Sequence, residues 1–188
     1  ARSLDTGDFA LFHISAARLK ARHPEWRTVI LTDARNQLFN LRSPPGQPLD
    51  PPRDPKSLEK VWQTKEAYIG DLSFGHVAIR VPVIRDNHVL YTLVAPVDPQ
   101  FFLSVLRTAK ERNGRQYIIA GSDDIVIAAS PETGMVSGKP LLRHFIDHKD
   151  DRVHQEEGML HARPVRVPAS GWRLFLLTSA DAVKAPFA

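Results

Sequence analysis

The sequence of 188 residues contains no cysteine, which excludes disulfide bonds, thiolate metal ligands and cysteine nucleophiles. It also lacks a run of about 18 apolar residues, the length that a membrane-spanning helix needs. Three motifs of nucleophile turns and phosphate loops are missing as well: GxSxG, GxxxxGK[ST] and GxGxxG. We expect a fragment of a longer protein, because the chain starts at Ala1 and ends shortly after a new helical run begins at Asp181.

Charge of one sign is only slightly in excess, with a formal net charge of +4. The basic residues are scattered and do not form a stripe with aromatic residues, so we expect no nucleic-acid partner. The eight histidines are also spread out. Only His144 and His148 have the i, i+4 spacing of a metal site on a helix, and a third ligand is missing. We therefore expect neither a metal nor a cofactor.

The clearest pattern is a pair of alternating runs, residues 77–83 and 89–97, around the polar link 85–88. Two β-branched runs of period two joined by a short polar link predict an antiparallel hairpin. One face of this hairpin would be apolar throughout and buried. The other face would carry Arg80 and Thr92, as a sheet surface that faces a ligand would.

The other elements form two similar series. The first has a helix within 4–23, strands at 26–32 and 37–41, a proline-dense excursion at 43–55, a helix at 56–64, a strand at 67–74, the hairpin, and a helix at 98–110. The second repeats a strand pair at 115–120 and 125–130, followed by a short helix, a hairpin at 159–167 and 172–179, and a helix from 181. This order predicts an α+β fold with two units, each an antiparallel sheet flanked by helices.

Five stretches, in their order and spacing, resemble the double Cache family of extracytoplasmic sensor domains. They cover nearly the whole chain: GDFALFHISAARLKARHPEW, VILTDARNQLFNLRSPPGQPL, VWQTKEAYIGDLSFG, VAIRVPVIRDNHVLYTLVAPVDPQFFLSVL and YIIAGSDDIVIAASPETGMVSGKP. Members of this family have two PAS-like domains, one membrane-distal and one membrane-proximal, on a long N-terminal helix. The ligand generally binds the distal domain, between its sheet and the covering loops.

The resemblance implies four segments. Residues 1–25 would be the end of the long helix, 26–112 the distal unit, 113–180 the smaller proximal unit, and 181–188 the start of a helix toward the membrane. It also implies a periplasmic location, membrane anchors beyond this chain and a homodimer through the N-terminal helix. The family's amino-acid-binding version has a fixed pattern of Tyr, Arg, Trp, Tyr and Asp that this sequence does not match.

Seven polar or aromatic residues of the distal unit are candidate ligand contacts: Arg42, Trp62, Tyr68, Asp71, Arg80, Tyr91 and Asp98. Arg80 is the strongest, because a charge within an apolar strand needs a partner. That partner could be a ligand carboxylate, or it could be Asp71 or Asp98 in a structural ion pair. The two tyrosines suit a pocket but also suit plain core packing. Asp98 equally suits the N-cap of the helix that follows it.

The resemblance thus implies the ligand-sensing domain of a membrane receptor, with no catalysis of its own. It would bind a small solute in the distal unit, and Arg80 hints at an anion. A histidine kinase is the favoured output, ahead of a diguanylate cyclase or a chemoreceptor. Two alternatives remain open at this point: a small α/β hydrolase that uses the histidines, and a structural interaction domain without a ligand.

Overall fold

The computed structural model describes residues 9–44, 46–109, 115–146 and 160–179. The chain divides into two compact units, residues 1–98 and 99–188. The helix predicted at 98–110, which sequence analysis assigned to the first unit, groups with the second, because it packs on strands of that unit. The predicted helix start at Asp181 lies outside the described residues.

A five-stranded antiparallel sheet forms the centre of the first unit. Its strand order is β2-β1-β5-β4-β3, so the first two strands join the hairpin through the pairing of β1 with β5. Two helices accompany the sheet. The elements are α1 (Phe9–Arg22), β1 (Ile30–Thr32), β2 (Gln37–Asn40), α2 (Pro55–Thr64), β3 (Tyr68–Ser73), β4 (His76–Arg85) and β5 (His88–Val97).

The β4–β5 hairpin forms as alternation predicts, but its apolar face is not buried throughout, because Val81 on that face is 46% exposed. Its two-residue turn consists of Asp86 and Asn87, with φ angles of 46° and 61°. Asn and Asp tolerate such left-handed angles, and a two-residue turn of this kind fits the twist of a hairpin. A bulge between Val83 and Ile84 shifts the pairing by one residue. On the side of the bulge away from the turn, Arg80 of β4 pairs with Val94 of β5.

The two faces of this sheet are covered differently. On one face, Phe12 and Ala16 of α1 are buried against Val29 and Leu31, and Tyr91 packs against the same cluster. The opposite face receives α2, whose Leu58 and Val61 are buried. The first turn of α2 is capped by Asp54, which accepts a hydrogen bond from the backbone N–H of Ser57, and Pro55 follows at the first helical position.

The second unit is smaller and has a four-stranded antiparallel sheet in the order β7-β6-β9-β8. Its core contains Ile118, Val126, Phe175 and Leu177. Arg173 forms an ion pair with Asp124 beside this sheet. The elements are α3 (Pro99–Ala109), β6 (Gln116–Ala120), β7 (Val126–Ala129), a 3-10 turn (Pro131–Thr133), α4 (Arg143–Ile146), β8 (Leu160–Arg166) and β9 (Arg173–Ser179).

The predicted fold class is confirmed: the chain is α+β, with helices on two antiparallel sheets and a helix at the N-terminal end of the described residues. The main difference lies in β1, which is shorter than the strand predicted at 26–32. Only Ile30–Thr32 forms a strand, and Trp26 makes an isolated bridge to Val97. Within the described residues, no helix combines the length and the apolar character that crossing a membrane requires.

Candidate functional site

A cavity of about 340 Å³ lies against the face of the first sheet that carries Arg80. The sheet supplies its floor with alternate residues of β1, β4 and β5, since successive side chains of a strand point to opposite faces. The proline-rich segment 50–53 lies along the same cavity. The lining residues are Arg27, Thr28, Ile30, Thr32, Gln37, Asn40, Arg42, Asp50, Pro51, Pro52, Arg53, Ser73, Phe74, His76, Ala78, Arg80, Val94 and Pro96.

Arg80 is the most deeply buried charge of this site, with 2% of its surface exposed. Its Nε donates a hydrogen bond to the Oγ of Ser57 over 2.6 Å. Its Nη2 donates to the backbone carbonyls of Arg53 (2.7 Å) and Asp54 (3.2 Å). Burial lowers the pKa of Arg80, and the nearby carboxylate of Asp54 opposes that shift. The partners of Arg80 are therefore a hydroxyl and two carbonyls, not the carboxylates of Asp71 or Asp98.

Two buried polar atoms near this contact have no hydrogen-bond partner within the described part of the chain, the Nη1 of Arg80 and the Oδ2 of Asp54. Asp54 has a left-handed φ of 65°, which is uncommon for a residue with a side chain. Gly70 lies directly opposite, and a Cβ at that position would come within 2.4 Å of the Asp54 Oδ2. The absence of a side chain at position 70 therefore makes room for the capping carboxylate.

Three further arginines line the cavity and are exposed to solvent: Arg27, Arg42 and Arg53. The Nη1 of Arg27 lies 2.9 Å from the Nε2 of His76. Arg53 pairs with Asp50 at 2.9 Å and also covers the ring of Phe74 at 5.0 Å from its centroid. Since Asp50 is the one carboxylate among the described lining residues, the cavity carries a clear excess of positive charge.

Of the seven residues predicted from sequence, the structure brings Arg80 and Arg42 together at this cavity. Tyr68 pairs with Arg80 across β3 and β4, so it shares that face, but it lies beside the cavity. Desolvation raises the pKa of the Tyr68 phenol, and the charges of Asp71 and Asp54 raise it further. The phenol of Tyr68 is therefore neutral and lies near the carboxylates of Asp71 and Asp54. Asp71 itself does not line the cavity.

The remaining three predicted residues do not line the cavity. Tyr91 lies on the opposite face and packs in the cluster beneath α1, because it pairs with Val83 and not with a residue of the Arg80 face. Trp62 is half-buried on α2, with its Nε1 buried and without a hydrogen-bond partner among the described residues. Asp98 is exposed and directly precedes α3, the position that the N-cap alternative gave it.

Sequence reasoning missed most of the charge in this site. Arg27, Arg53 and His76 come from three separate segments, and only the pairing of β1 with β5 and the fold of the proline-rich excursion bring them together. One signal was available for the turn that carries Phe74. Gly75, between two predicted strands, indicates a turn, and Phe74 and Gly75 do have φ angles of 48° and 75°.

A second and larger hollow, of about 820 Å³, lies between α1, β2 and the segment 43–49. Its lining is mostly apolar, with Phe9, Ile14 and Phe39 among its side chains. His13 is the one ionisable residue among its described lining residues. The described lining of this hollow contains no arginine, lysine or carboxylate to orient a polar solute, so the arginine-lined cavity is the better candidate site.

No group of three or more His, Asp or Glu residues that could hold a metal ion is present in the described ranges. Of the two histidines with i, i+4 spacing, His148 lies outside the described residues.

Several solved structures share this fold. The extracellular domain of rpHK1S-Z16, a protein assigned as a histidine kinase, superposes with a TM-score of 0.64 at 12% identity, covering 95% of this chain and 80% of that one. The ligand-binding domain of Mlp24 with asparagine gives 0.60 at 15% identity, covering 95% and 78%. The ligand-binding domain of the Pseudomonas aeruginosa PAO1 amino acid chemoreceptor PctB, in complex with L-Gln, gives 0.58 at 10% identity, covering 88% and 73%.

No protein-family model matches the sequence, and no curated protein matches it either. At these identities the structural likeness establishes the fold. The fold expected from the double Cache resemblance is therefore confirmed: the chain folds like the extracellular sensor and ligand-binding domains of histidine kinases and chemoreceptors.

Proposed function

We propose that this chain is the extracytoplasmic ligand-sensing domain of a transmembrane receptor, and that a small anionic solute binds in the arginine-lined cavity of the first unit. The receptor is a histidine kinase in this proposal, with its kinase part beyond this chain. The first unit is the membrane-distal one and the second the membrane-proximal one. The chain itself binds and does not catalyse.

The observation that carries the proposal is the cavity between the sheet and the segment 50–53. Its volume of about 340 Å³ suits a small metabolite, and it is concave with a few convergent polar groups, as solute sites are. The lining includes Arg80 and three exposed guanidinium groups, which bind carboxylates and phosphates well. The fold supports the same reading, since the similar solved domains include sensor domains of histidine kinases and of chemoreceptors.

The route of the signal follows from which elements meet at the cavity. The segment 50–53 leads directly into α2, and Arg80 bonds to both the segment and the first turn of that helix. A solute that contacts both the sheet and the segment 50–53 would stabilise one position of the segment relative to the sheet. Binding can shift the population only by the difference in affinity between the arrangements.

The test is a thermal-shift and calorimetric screen of the purified chain against small carboxylates, phosphates, amino acids and neutral solutes. A bound solute at 100 times its Kd should add about 2.7 kcal/mol to the free energy of unfolding. Arg42→Gln should reduce that gain, and Arg35→Gln should leave it unchanged. Arg35 is a matched control because it is equally exposed but lies in the turn between β1 and β2, outside the cavity lining. A gain that survives in Arg42→Gln and in Arg27→Gln would place the solute elsewhere.

A further inference from the structure

The cavity lining carries more positive than negative charge, and this excess favours anionic solutes. Four arginines line it, against one carboxylate among the described lining residues. That carboxylate, Asp50, already lies 2.9 Å from the Nη2 of Arg53. An ion pair with a nearby guanidinium leaves it a weak partner for any second cation.

Three of the positive groups come from separate segments that line the cavity. The backbone N–H of Arg27 donates to the carbonyl of Pro96 over 2.7 Å, and its side chain meets His76 at the start of β4. Arg53 covers Phe74 in the turn just before His76. Arg42 follows the end of β2, and its backbone N–H donates to the Oδ1 of Asn40. Arg27, Arg42 and Arg53 thus reach the cavity from three separate segments.

The contacts of His76, the remaining titratable residue of the described lining, concern Arg27 and the backbone. Its Nε2 is placed to accept a hydrogen bond from Arg27, and its Nδ1 lies 3.0 Å from the carbonyl of Phe74. A neutral imidazole with its proton on Nδ1 satisfies both contacts at once. In that form His76 orients the Arg27 side chain and leaves the charge of the site unchanged.

Two further polar residues of the lining, Thr32 and Gln37, are neutral. The Oγ1 of Thr32 shares a hydrogen bond of 2.7 Å with Thr92. The amide nitrogen of Gln37 donates to the backbone carbonyl of Asp50. Neither Thr32 nor Gln37 offers a negative charge to an ammonium group, and an ammonium in this cavity would meet several like charges.

We propose that the cavity selects a small solute that carries two negative charges and no ammonium group, such as a short dicarboxylate or a phosphate. This inference rests on the proposed function and sharpens it, since amino acids carry the ammonium group that the lining disfavours. Arg27 and Arg42, which both line the cavity, would bind the anionic group. Arg80 adds a fourth positive charge from the sheet, with an Nη1 that lacks a partner among the described residues.

The test measures the affinity of the purified chain for four matched probes by calorimetry: succinate, butyrate, L-aspartate and inorganic phosphate. Butyrate lacks one carboxylate of succinate, and L-aspartate adds only an ammonium group to it. We expect succinate or phosphate to bind, and the better of these two identifies the source of the dianion. Affinity for butyrate and for L-aspartate should be at least about tenfold weaker, because the loss of one hydrogen bond to a charged group lowers affinity by about that factor.

The variants Arg27→Gln and Arg42→Gln should each weaken the dianion about tenfold, and Arg35→Gln should not. Raising the salt concentration should weaken the dianion more than any neutral solute, because exposed guanidinium groups are screened. If L-aspartate, L-asparagine or a neutral solute binds as tightly as the dianions and depends on the same arginines, this inference fails and the proposed function survives. If no solute of the wider screen binds, or if binding ignores both cavity arginines, the proposed function fails with it.

Discussion

The side chain of Arg80 joins β4 to the first turn of α2 through a hydrogen bond of 2.6 Å to the hydroxyl of Ser57. Two further bonds to backbone carbonyls fix the end of the segment 50–53, which lines the cavity. Arg80 therefore holds the segment that lines the site and also contributes one of its four positive charges.

We predict that Arg80→Met lowers the free energy of unfolding by about 2 kcal/mol, because Ser57 and two carbonyls lose their donor. The loss stays moderate because the variant also removes a buried charge that is costly to desolvate. Urea denaturation measures the difference. The exposed Arg42→Met should change stability by less than about 0.5 kcal/mol. Equal midpoints for wild type and Arg80→Met would show that these bonds do not hold the segment.

Gly70→Ala should destabilise the first unit by about 1–3 kcal/mol, because its Cβ would meet the Asp54 Oδ2 at 2.4 Å and the Ser57 Cβ at 3.2 Å. A double-mutant cycle tests the cause. In an Asp54→Ala background the closest atom is gone, so the same substitution should cost less. Additive effects of the two changes would contradict the contact.

Asp33 should stabilise the fold in a pH-dependent way. Desolvation raises the pKa of its carboxyl, but hydrogen bonds from the backbone N–H groups of Arg35 (2.7 Å) and Asn36 (2.6 Å) outweigh it, and the net pKa is lowered. A pKa that is lower in the folded state gives stability that is present above the unfolded value and is lost as the pH falls through the folded value.

Asp33→Ala should therefore lose about 1 kcal/mol at neutral pH, and the difference from wild type should shrink as the pH falls below about 4. Denaturation curves across that range measure it. Asp33→Asn keeps an oxygen acceptor without the charge, so its smaller deficit should also vanish in acid. A deficit of Asp33→Ala that is constant from neutral to acid pH would contradict the role of the charge.

Phe74→Asn should stabilise the fold by about 0.5 kcal/mol while it weakens solute binding. Phe74 has a left-handed φ of 48° and is 74% exposed, so it carries backbone strain and buries little surface. Relief of about 1–2 kcal/mol of strain should exceed the loss of an exposed contact with Arg53, worth about 0.5–1 kcal/mol.

Melting temperature and solute affinity, measured on the same Phe74→Asn protein, separate the two effects. Lower stability would show that the ring of Phe74 packs more strongly than its exposure indicates. Unchanged affinity would show that Phe74 and the position of Arg53 have no part in binding.

Sequence patterns predicted the elements well and the site only in part, for a physical reason. Alternation in β4 and β5 is a local signal, and it placed Arg80 and Thr92 on one face, as observed, whereas Tyr91, a predicted ligand contact, lies on the other face. The turn at Asp86 and Asn87, continued without interruption, would have set Tyr91 opposite Pro82 and beside Arg80. The bulge between Val83 and Ile84 shifts the register by one residue and so moves Tyr91 to the opposite face. No local signal in the sequence indicates this bulge.

The charged lining was harder to predict because it depends on distant pairings. Arg27 reaches the cavity through the pairing of β1 with β5, and Arg53 through the path of the proline-rich segment. Neither residue stands in a pattern of its own. Arg80 could be found because it interrupts an apolar strand, whereas its partner Ser57 became evident only once α2 was placed on the sheet.

The strand β5 contributes residues to the cavity on one face of the sheet and to the cluster beneath α1 on the other. Its Val94 forms part of the cavity floor, while the adjacent Leu93 packs in the cluster beneath α1. Neighbouring residues of one strand share a backbone, so a displacement of Val94 at the cavity floor would also displace Leu93 and alter its packing in the cluster beneath α1.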